Sequence, residues 1–144
     1  MSPADDRPPP IAVVIAYHQY SSCKALKALL STHPDFDVVA DTPSRQDAVA
    51  VCQTFRPDVL LMDLHIPPVN AVRATRRFRK VCPEVGIVIM TVHEEIALAA
   101  HSAGADACVD IGAGPEEIMA AIREVAASRA ARFHSREQHS MTGE

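Results

Sequence analysis

The chain has 144 residues, and its 14 lysines and arginines against 18 aspartates and glutamates give a formal net charge of −4. This length indicates one domain, and a domain of this size buries about two-thirds of the surface that its unfolded chain exposes, so its core needs neither metals nor disulfides. The acidic balance argues against direct nucleic-acid binding, because a nucleic-acid-binding module carries a basic face.

The N-terminal segment, residues 1–10, contains four prolines and two aspartates, and we expect it to be disordered. From residue 11 the chain alternates between apolar runs and segments of helical spacing. The apolar runs are rich in valine and isoleucine and lack a polar alternation, which is typical of parallel strands covered on both faces. The predicted strands are Ile11–Ala16, Phe36–Ala40, Val59–Met62, Gly86–Thr91 and Ala107–Val109.

Helix start and stop signals lie in the segments between and after these strands. Serines cap the first two helices, and prolines or a glycine close the first four. The fifth helix opens at Pro115, with two glutamates near its positive end. The predicted helices begin at Ser21 or Ser22, at Ser44, near Asn70, near Glu94 and at Pro115, and the first four end before Pro34, before Pro57, near Lys80 and near Ala103.

Five β-α units with short connections predict an α/β fold. The natural packing is a (βα)5 doubly wound parallel sheet of five strands, with 2-1-3-4-5 as the expected strand order. The domain would cover residues 11–128, and residues 129–144 would form a polar C-terminal tail.

The carboxyl ends of the strands define where a site would lie. In the predicted sheet the crevice lies between the ends of strands one and three, which brings Tyr17, His18 and Asp63 together. Strands four and five add Thr91 and Asp110 at the same edge. A lone carboxylate beside a phenol and an imidazole holds a hard cation poorly, so this edge does not predict a magnesium or calcium site.

Four segments of the chain, taken in order, carry a family resemblance: Ile11–Ala16, Pro57–Pro67, Ile87–Thr91 and Ala103–Ala105. They resemble the response-regulator receiver domain of two-component signalling, which has a flavodoxin-like or CheY-like fold. The resemblance runs from about residue 11 to residue 127. Two further segments, Ala74–Arg79 and Pro115–Ile118, are most similar to those of receivers that precede LuxR-type helix-turn-helix output domains.

The resemblance implies a role for each residue at the carboxyl edge. Asp63 matches the family's phosphoryl acceptor, and Thr91 matches the hydroxyl that hydrogen-bonds a phosphoryl oxygen. Tyr17 and His18 stand where the family has two acidic residues that hold Mg²⁺ together with the acceptor. Ile111 stands where the family has a lysine that pairs with the phosphoryl charge.

Further departures from the family concern Cys108, at the position of an aromatic switch residue, and Pro68, at the position of a glycine. Phosphoryl transfer to a carboxylate brings two anions together, so catalysis depends on neutralisation by a metal and a cation. The chain keeps the nucleophile and the hydroxyl but lacks both cations, and an inward Asp110 would add negative charge. We therefore expect an atypical receiver with weak or absent Mg²⁺ binding, no other cofactor, and weak or no phosphorylation.

The residues expected to line the pocket around the acceptor are Tyr17, His18, His65 and Asp110. The ring of Tyr17 is expected to fill the emptied metal position, and a protonated His18 would replace the missing cation. One alternative function is small-molecule sensing in the same pocket. Another is a metal-dependent site that uses His18, His65 and His93.

A module without chemistry of its own acts by binding, so we expect no enzymatic activity and protein partners such as a histidine kinase or an output protein. A homodimer through helices one and five is also expected. The cations over residues 73–80 form either a solvated helix face or a docking patch for an acidic partner. The cysteines lack C-x-x-C pairs and metal-ligand spacing, and no run could span a bilayer, which predicts a cytoplasmic protein with reduced thiols and no membrane contact.

Overall fold

The computed structural model describes residues 8–17 and 20–142, with the backbone alone at residues 20–22, 111 and 133–142. Strands and helices alternate along these residues, as the sequence predicts. In chain order they are β1 Ile11–Ala16, α1 Tyr20–Ser31, β2 Phe36–Thr42, α2 Arg45–Phe55, β3 Val59–Asp63, α3 Pro68–Val81, β4 Gly86–Met90, α4 Glu94–Ser102, β5 Ala107–Val109, a 3-10 turn Ile111–Ala113, and α5 Pro115–Thr142.

The five strands form one parallel sheet in the order β2-β1-β3-β4-β5, which confirms the predicted topology. The register places Asp63, the last residue of β3, opposite Met90, the last residue of β4. Every residue of β3 and β4 is buried, and apart from Asp63 both strands are unbroken apolar runs, as expected for strands covered on both faces.

Two apolar cores lie on opposite faces of this sheet. One is built around Leu60 and Phe78 beneath α2, α3 and α4, and the other around Leu61 and Ile122 beneath α1 and α5. Successive residues of β3 enter opposite cores because side chains alternate along a strand. Truncating a buried phenylalanine such as Phe78 to alanine costs about 3–5 kcal/mol of stability.

The predicted serine cap is found at α2, whereas α1 begins at Tyr20, so Ser21 and Ser22 lie inside that helix and do not cap it. The Ser44 hydroxyl oxygen accepts a hydrogen bond from the Asp47 backbone N–H at 3.3 Å, so the predicted cap of α2 is confirmed. α3 begins at Pro68, two residues before the predicted Asn70. Proline suits the first helical position because its fixed φ is helical and its missing N–H would have no partner there.

The end of α5 differs from the prediction. A domain boundary at residue 128 falls inside this helix, which continues to Thr142. Arg129 was assigned to the polar tail, yet it is 8% exposed and donates from Nη1 to the Pro83 carbonyl at 2.8 Å. The sequence does not predict the burial of Arg129, because arginine is mostly exposed in proteins and its burial depends on partners elsewhere in the fold.

Those partners form an ion-pair network at the amino end of β4 and β5. Asp106 pairs with Arg79 at 2.5 Å and with Arg129 at 3.2 Å, and its carboxylate also accepts from the Ile87 backbone N–H at 2.8 Å. Arg79 additionally donates to the Gly104 and Val85 carbonyls. Burial is the first cause that lowers the Arg79 pKa, and the charge of Asp106 opposes it. The network ties α3, the sheet and α5 together.

The disorder expected for residues 1–10 concerns residues 1–7, which lie outside the described ranges, and three exposed prolines that precede β1. Within the described part of the chain, no helix is long and apolar enough to cross a membrane.

Candidate functional site

The carboxyl edge of the sheet gathers the residues that follow the central strands. Tyr17 follows β1 and donates its backbone N–H to the Thr42 carbonyl at 3.0 Å. Asp63 ends β3, and Thr91 follows β4 with its backbone N–H bound to the Val109 carbonyl at 3.1 Å. These backbone bonds fix the edge, so Tyr17, Asp63 and Thr91 lie where the predicted topology puts them.

Asp63 is 8% exposed and is in contact with an imidazole. His65 Nε2 lies 2.9 Å from Asp63 Oδ1, and the His65 side chain is 35% exposed. A buried carboxylate needs hydrogen bonds or an opposite charge nearby, and an imidazole carries such a charge only when it is protonated. The acceptor position therefore has an imidazole beside it, supplied from two residues further along the chain.

This contact changes the role expected for the histidines. A protonated His18 is the replacement for the missing cation that the sequence suggests, and His18 lies outside the described residues. His65 was expected only to line the pocket, and the structure brings it into direct contact with Asp63. No sequence signal identifies that contact, because it depends on the backbone path of the loop after β3.

Tyr17 occupies the position where a second carboxylate would stand. Its side chain is half-buried and lines the same cavity as Asp63 and His65. Hard divalent cations need several oxygen ligands, and the described residues at this edge supply the Asp63 carboxylate with an imidazole already on it. This donor set does not fit Mg²⁺.

Thr91 is 3% exposed, and its hydroxyl oxygen accepts a hydrogen bond from the His93 backbone N–H at 3.1 Å. No described residue accepts a hydrogen bond from this hydroxyl, so it keeps a proton to donate. His93 precedes α4 and is exposed, without a side-chain capping bond. Among the described residues no group of three His, Cys, Asp or Glu side chains could hold a metal, and His18 of the suggested histidine site lies outside them.

Asp110 does not belong to the pocket, which corrects its assignment from sequence. It is exposed, and its Oδ1 accepts from the Gly112 backbone N–H at 2.7 Å as the cap of the 3-10 turn. Its carboxylate turns away from the pocket because it accepts a hydrogen bond from the backbone N–H two residues further along the chain. It adds no buried negative charge beside Asp63.

Cys108 occupies the position of the family's aromatic switch residue. Its thiol is half-buried and donates to the Ala97 carbonyl of α4 at 3.3 Å. Burial raises the pKa of this thiol, so it stays protonated at neutral pH. A short side chain bonded to α4 cannot swing between buried and exposed positions as a large aromatic ring does.

A cavity of about 520 Å³ opens beside Asp63, between α1 and α5. Leu26, Leu29 and Ile118 form much of its apolar wall, and Asp63 and His65 stand at its polar end. Cys23 also lines it, and burial foremost raises the pKa of that thiol to about 11. The sequence does not predict this cavity, because its width depends on the distance between two helices.

A family model for the response regulator receiver domain matches residues 13–123. Response regulator UvrY of Escherichia coli (strain K12) is 35% identical over 102 residues, which cover 69% of this chain and 47% of that protein. Transcriptional regulatory protein DegU of Brevibacillus brevis is 35% identical over 89 residues, covering 62% of this chain and 37% of that protein. The chain thus spans about half the length or less of these curated relatives.

Solved structures of response regulators also match this chain. A two-component response regulator of the LuxR family from Aurantimonas sp. SI85-9A1 superposes with a TM-score of 0.75 at 27% identity, covering 83% of this chain and 87% of that chain. A LuxR-family DNA-binding response regulator from Staphylococcus aureus shares the fold with a TM-score of 0.72 at 24% identity, covering 81% of this chain and 98% of that chain. The sheet order, the aspartate that ends β3 and these matches together show that the chain belongs to the response-regulator receiver domain family of two-component signalling.

Proposed function

We propose that this chain is an atypical receiver module that signals through protein contacts, with weak or no phosphorylation at Asp63. One observation carries the proposal: the acceptor carboxylate is buried and already paired with His65 at 2.9 Å, while a phenol stands at the end of β1. The partners would be proteins, such as a histidine kinase or an output protein, and the chain would work in the cytoplasm. The activity of any longer protein that contains this module is part of the same proposal.

The chemistry supports this function. Transfer of a phosphoryl group to a carboxylate needs positive charge on the transferred oxygens and a free carboxylate oxygen as nucleophile. His65 brings one positive charge when protonated, but it also occupies Asp63 Oδ1. With one carboxylate, a phenol and an imidazole, the site would bind Mg²⁺ weakly or not at all. Because Asp63 is paired with His65 without a metal, we expect the conformation of the chain to stay the same when a phosphoryl donor is added.

Incubation with acetyl phosphate and Mg²⁺, followed by intact mass measurement, tests the proposal. We expect the wild-type chain to stay largely unlabelled. The variant Tyr17→Asp, His18→Asp, Ile111→Lys returns two metal ligands and a cation, and we expect it to gain a phosphoryl mass that Asp63→Asn abolishes. Rapid and complete labelling of the wild type would contradict the proposal.

The cavity beside Asp63 favours a second candidate function, small-molecule sensing. Its volume of about 520 Å³ falls in the range of about 300–1,000 Å³ that is usual for ligand pockets. An apolar wall with a carboxylate at one end suits a molecule with an apolar body and a cationic head. Phenylbutylamine is a probe of this chemistry, and phenylbutanol is its neutral counterpart.

Thermal unfolding with each probe tests this candidate, because a ligand that binds only the folded chain raises Tm. We expect phenylbutylamine to raise Tm more than phenylbutanol does. Leu29→Trp, which fills the cavity, should remove the shift, and Leu98→Trp on the exposed face of α4 should leave it intact. Equal shifts in both variants would show that the cavity is not the binding site.

A further inference from the structure

The charges of this chain are distributed unevenly. α3 carries five of its 14 cations and none of its 18 acids, so the rest of the chain has nine cations against 18 acids and a formal charge of −9. The cations are Arg73, Arg76, Arg77, Arg79 and Lys80. Neighbours four apart on a helix, such as Arg73 and Arg77, repel each other and destabilise the helix. An anionic partner would relieve that repulsion.

One member of this cluster has a structural role instead. Arg79 is half-buried and holds Asp106 and the Gly104 carbonyl, as described above. The other four cations of α3 are exposed, and none of them forms an ion pair within the described residues. The available positive charge therefore lies on the outer face of α3, separate from the Asp106 network.

A groove of about 240 Å³ lies between α2 and α3 next to this charge. Arg45 of α2 faces Arg73 and Arg77 of α3 across it, and Val49 and Ile66 are among the apolar residues that line it. No acidic residue is among the lining residues that the structure describes. The groove thus has an apolar surface bordered by three guanidinium groups. Such a surface suits a peptide with one apolar side chain and neighbouring carboxylates, because arginine pairs with carboxylates through two parallel hydrogen bonds.

We propose that the α2–α3 groove binds an acidic segment of a partner protein, with an apolar side chain in the groove and flanking carboxylates on Arg45, Arg73 and Arg77. A nucleic-acid strand fits this groove less well. Its phosphate backbone makes no contact that needs the apolar residues of the groove, which form its apolar floor, and the negative charge on the rest of the chain repels an extended polyanion. The proposal is independent of chemistry at Asp63, since Asp63 is not among the residues that line the groove.

Fluorescence anisotropy with a labelled synthetic peptide tests it directly. The probe has one central leucine flanked on both sides by glutamates; one comparison peptide replaces the glutamates by glutamines, and another replaces the leucine by glycine. We expect the glutamate-leucine peptide to bind most tightly, with affinity that falls as salt rises. Equal binding of the leucine and glycine peptides would overturn the use of the apolar floor.

Charge reversal locates the site. Arg73→Glu with Arg77→Glu should weaken peptide binding by about tenfold or more. The matched control, Lys24→Glu with Arg132→Glu, makes the same change in net charge at exposed positions of α1 and α5 and should leave binding unchanged. Arg73→Gln with Arg77→Gln, which removes charge without adding acids to the helix, should also weaken binding and guards against misfolding of the reversed variant.

Two outcomes would overturn the proposal: equal losses in the α3 variant and its control, or tighter binding of a single-stranded oligonucleotide than of the peptide. Asp63→Asn should bind the peptide like the wild type. Failure of the groove proposal is therefore distinguishable from failure of the proposed behaviour at Asp63.

Discussion

At the scale of single residues, the contact between Asp63 and His65 decides what the site can do. One residue, Leu64, separates them in sequence, and the turn after β3 places His65 Nε2 2.9 Å from Asp63 Oδ1. When the imidazole is protonated, this side chain offsets the negative charge of Asp63 from within the folded chain.

His65→Ala tests the energetic value of this contact. Partly exposed ion pairs contribute about 0–1 kcal/mol, and since His65 is one-third exposed we expect a loss of up to about 1 kcal/mol in the free energy of unfolding. Urea denaturation measures it. His93→Ala is the control, because His93 is exposed and makes no side-chain cap, and it should stay within about 0.5 kcal/mol of the wild type. Equal losses for both variants would show that the contact contributes nothing specific.

Some residues of the site are predictable from sequence and others are not. Asp63, Thr91 and Tyr17 are fixed because each stands at the end of a strand, and strand ends follow from apolar runs. The contact of His65 and the outward turn of Asp110 depend on loop backbone, where a local hydrogen bond of about 1 kcal/mol decides the direction of a side chain.

At the scale of elements, the strands were predictable to within two residues and the ends of helices less so. β1 and β5 have their predicted bounds, whereas β2 extends to Thr42 and β3 includes Asp63. The burial of Arg129 was not predicted because the residues after 128 are mostly polar, while Asp106, on a distant loop, supplies the partner of its guanidinium group. Pairings across the fold are not encoded in local patterns.

Asp106→Ala tests the importance of that pairing. The substitution leaves the Arg79 and Arg129 guanidinium groups, with side chains 21% and 10% exposed, without their shared carboxylate. We expect a loss of about 3 kcal/mol in the free energy of unfolding, because removing one partner of a buried ion pair leaves uncompensated charge. Asp41→Ala breaks the more exposed pair with Lys27 and should cost less than about 1 kcal/mol by the same urea measurement. A network loss no larger than the Asp41 loss would contradict the structural role of Asp106.

At the scale of the whole molecule, the surface bears on self-association. The expected patch on α1 and α5 is formed by small side chains, with alanines such as Ala28 and Ala120 exposed. Among the large apolar side chains of the described residues, the most exposed is Leu98 of α4, at 62%, and Val92 just before α4 is 54% exposed. The fold therefore offers two faces for a dimer, and charge substitution distinguishes them.

We expect weak dimerisation, with a Kd on the order of tens of micromolar, that acetyl phosphate does not change. Ala28→Glu should abolish it, because a two-fold interface on α1 and α5 brings each substitution into the contact twice. Leu98→Glu on α4 is the control and should leave sedimentation unchanged. Loss of the dimer in Leu98→Glu but not in Ala28→Glu would place the interface on α4. A monomer at every concentration would contradict the expected dimerisation.

α5 joins the two ends of this fold, which gives it the mechanics of a lever. Ile118 stands at the cavity beside Asp63, and Arg129 is held by Asp106 about 16 Å further along the axis. The helix then runs about another 20 Å to Thr142. If Arg129 acts as the fulcrum, a small outward tilt at Ile118 reappears at Thr142 with the opposite sign and similar size. Under that condition, pressure on the cavity wall would move the far end of α5 without a rearrangement of the sheet.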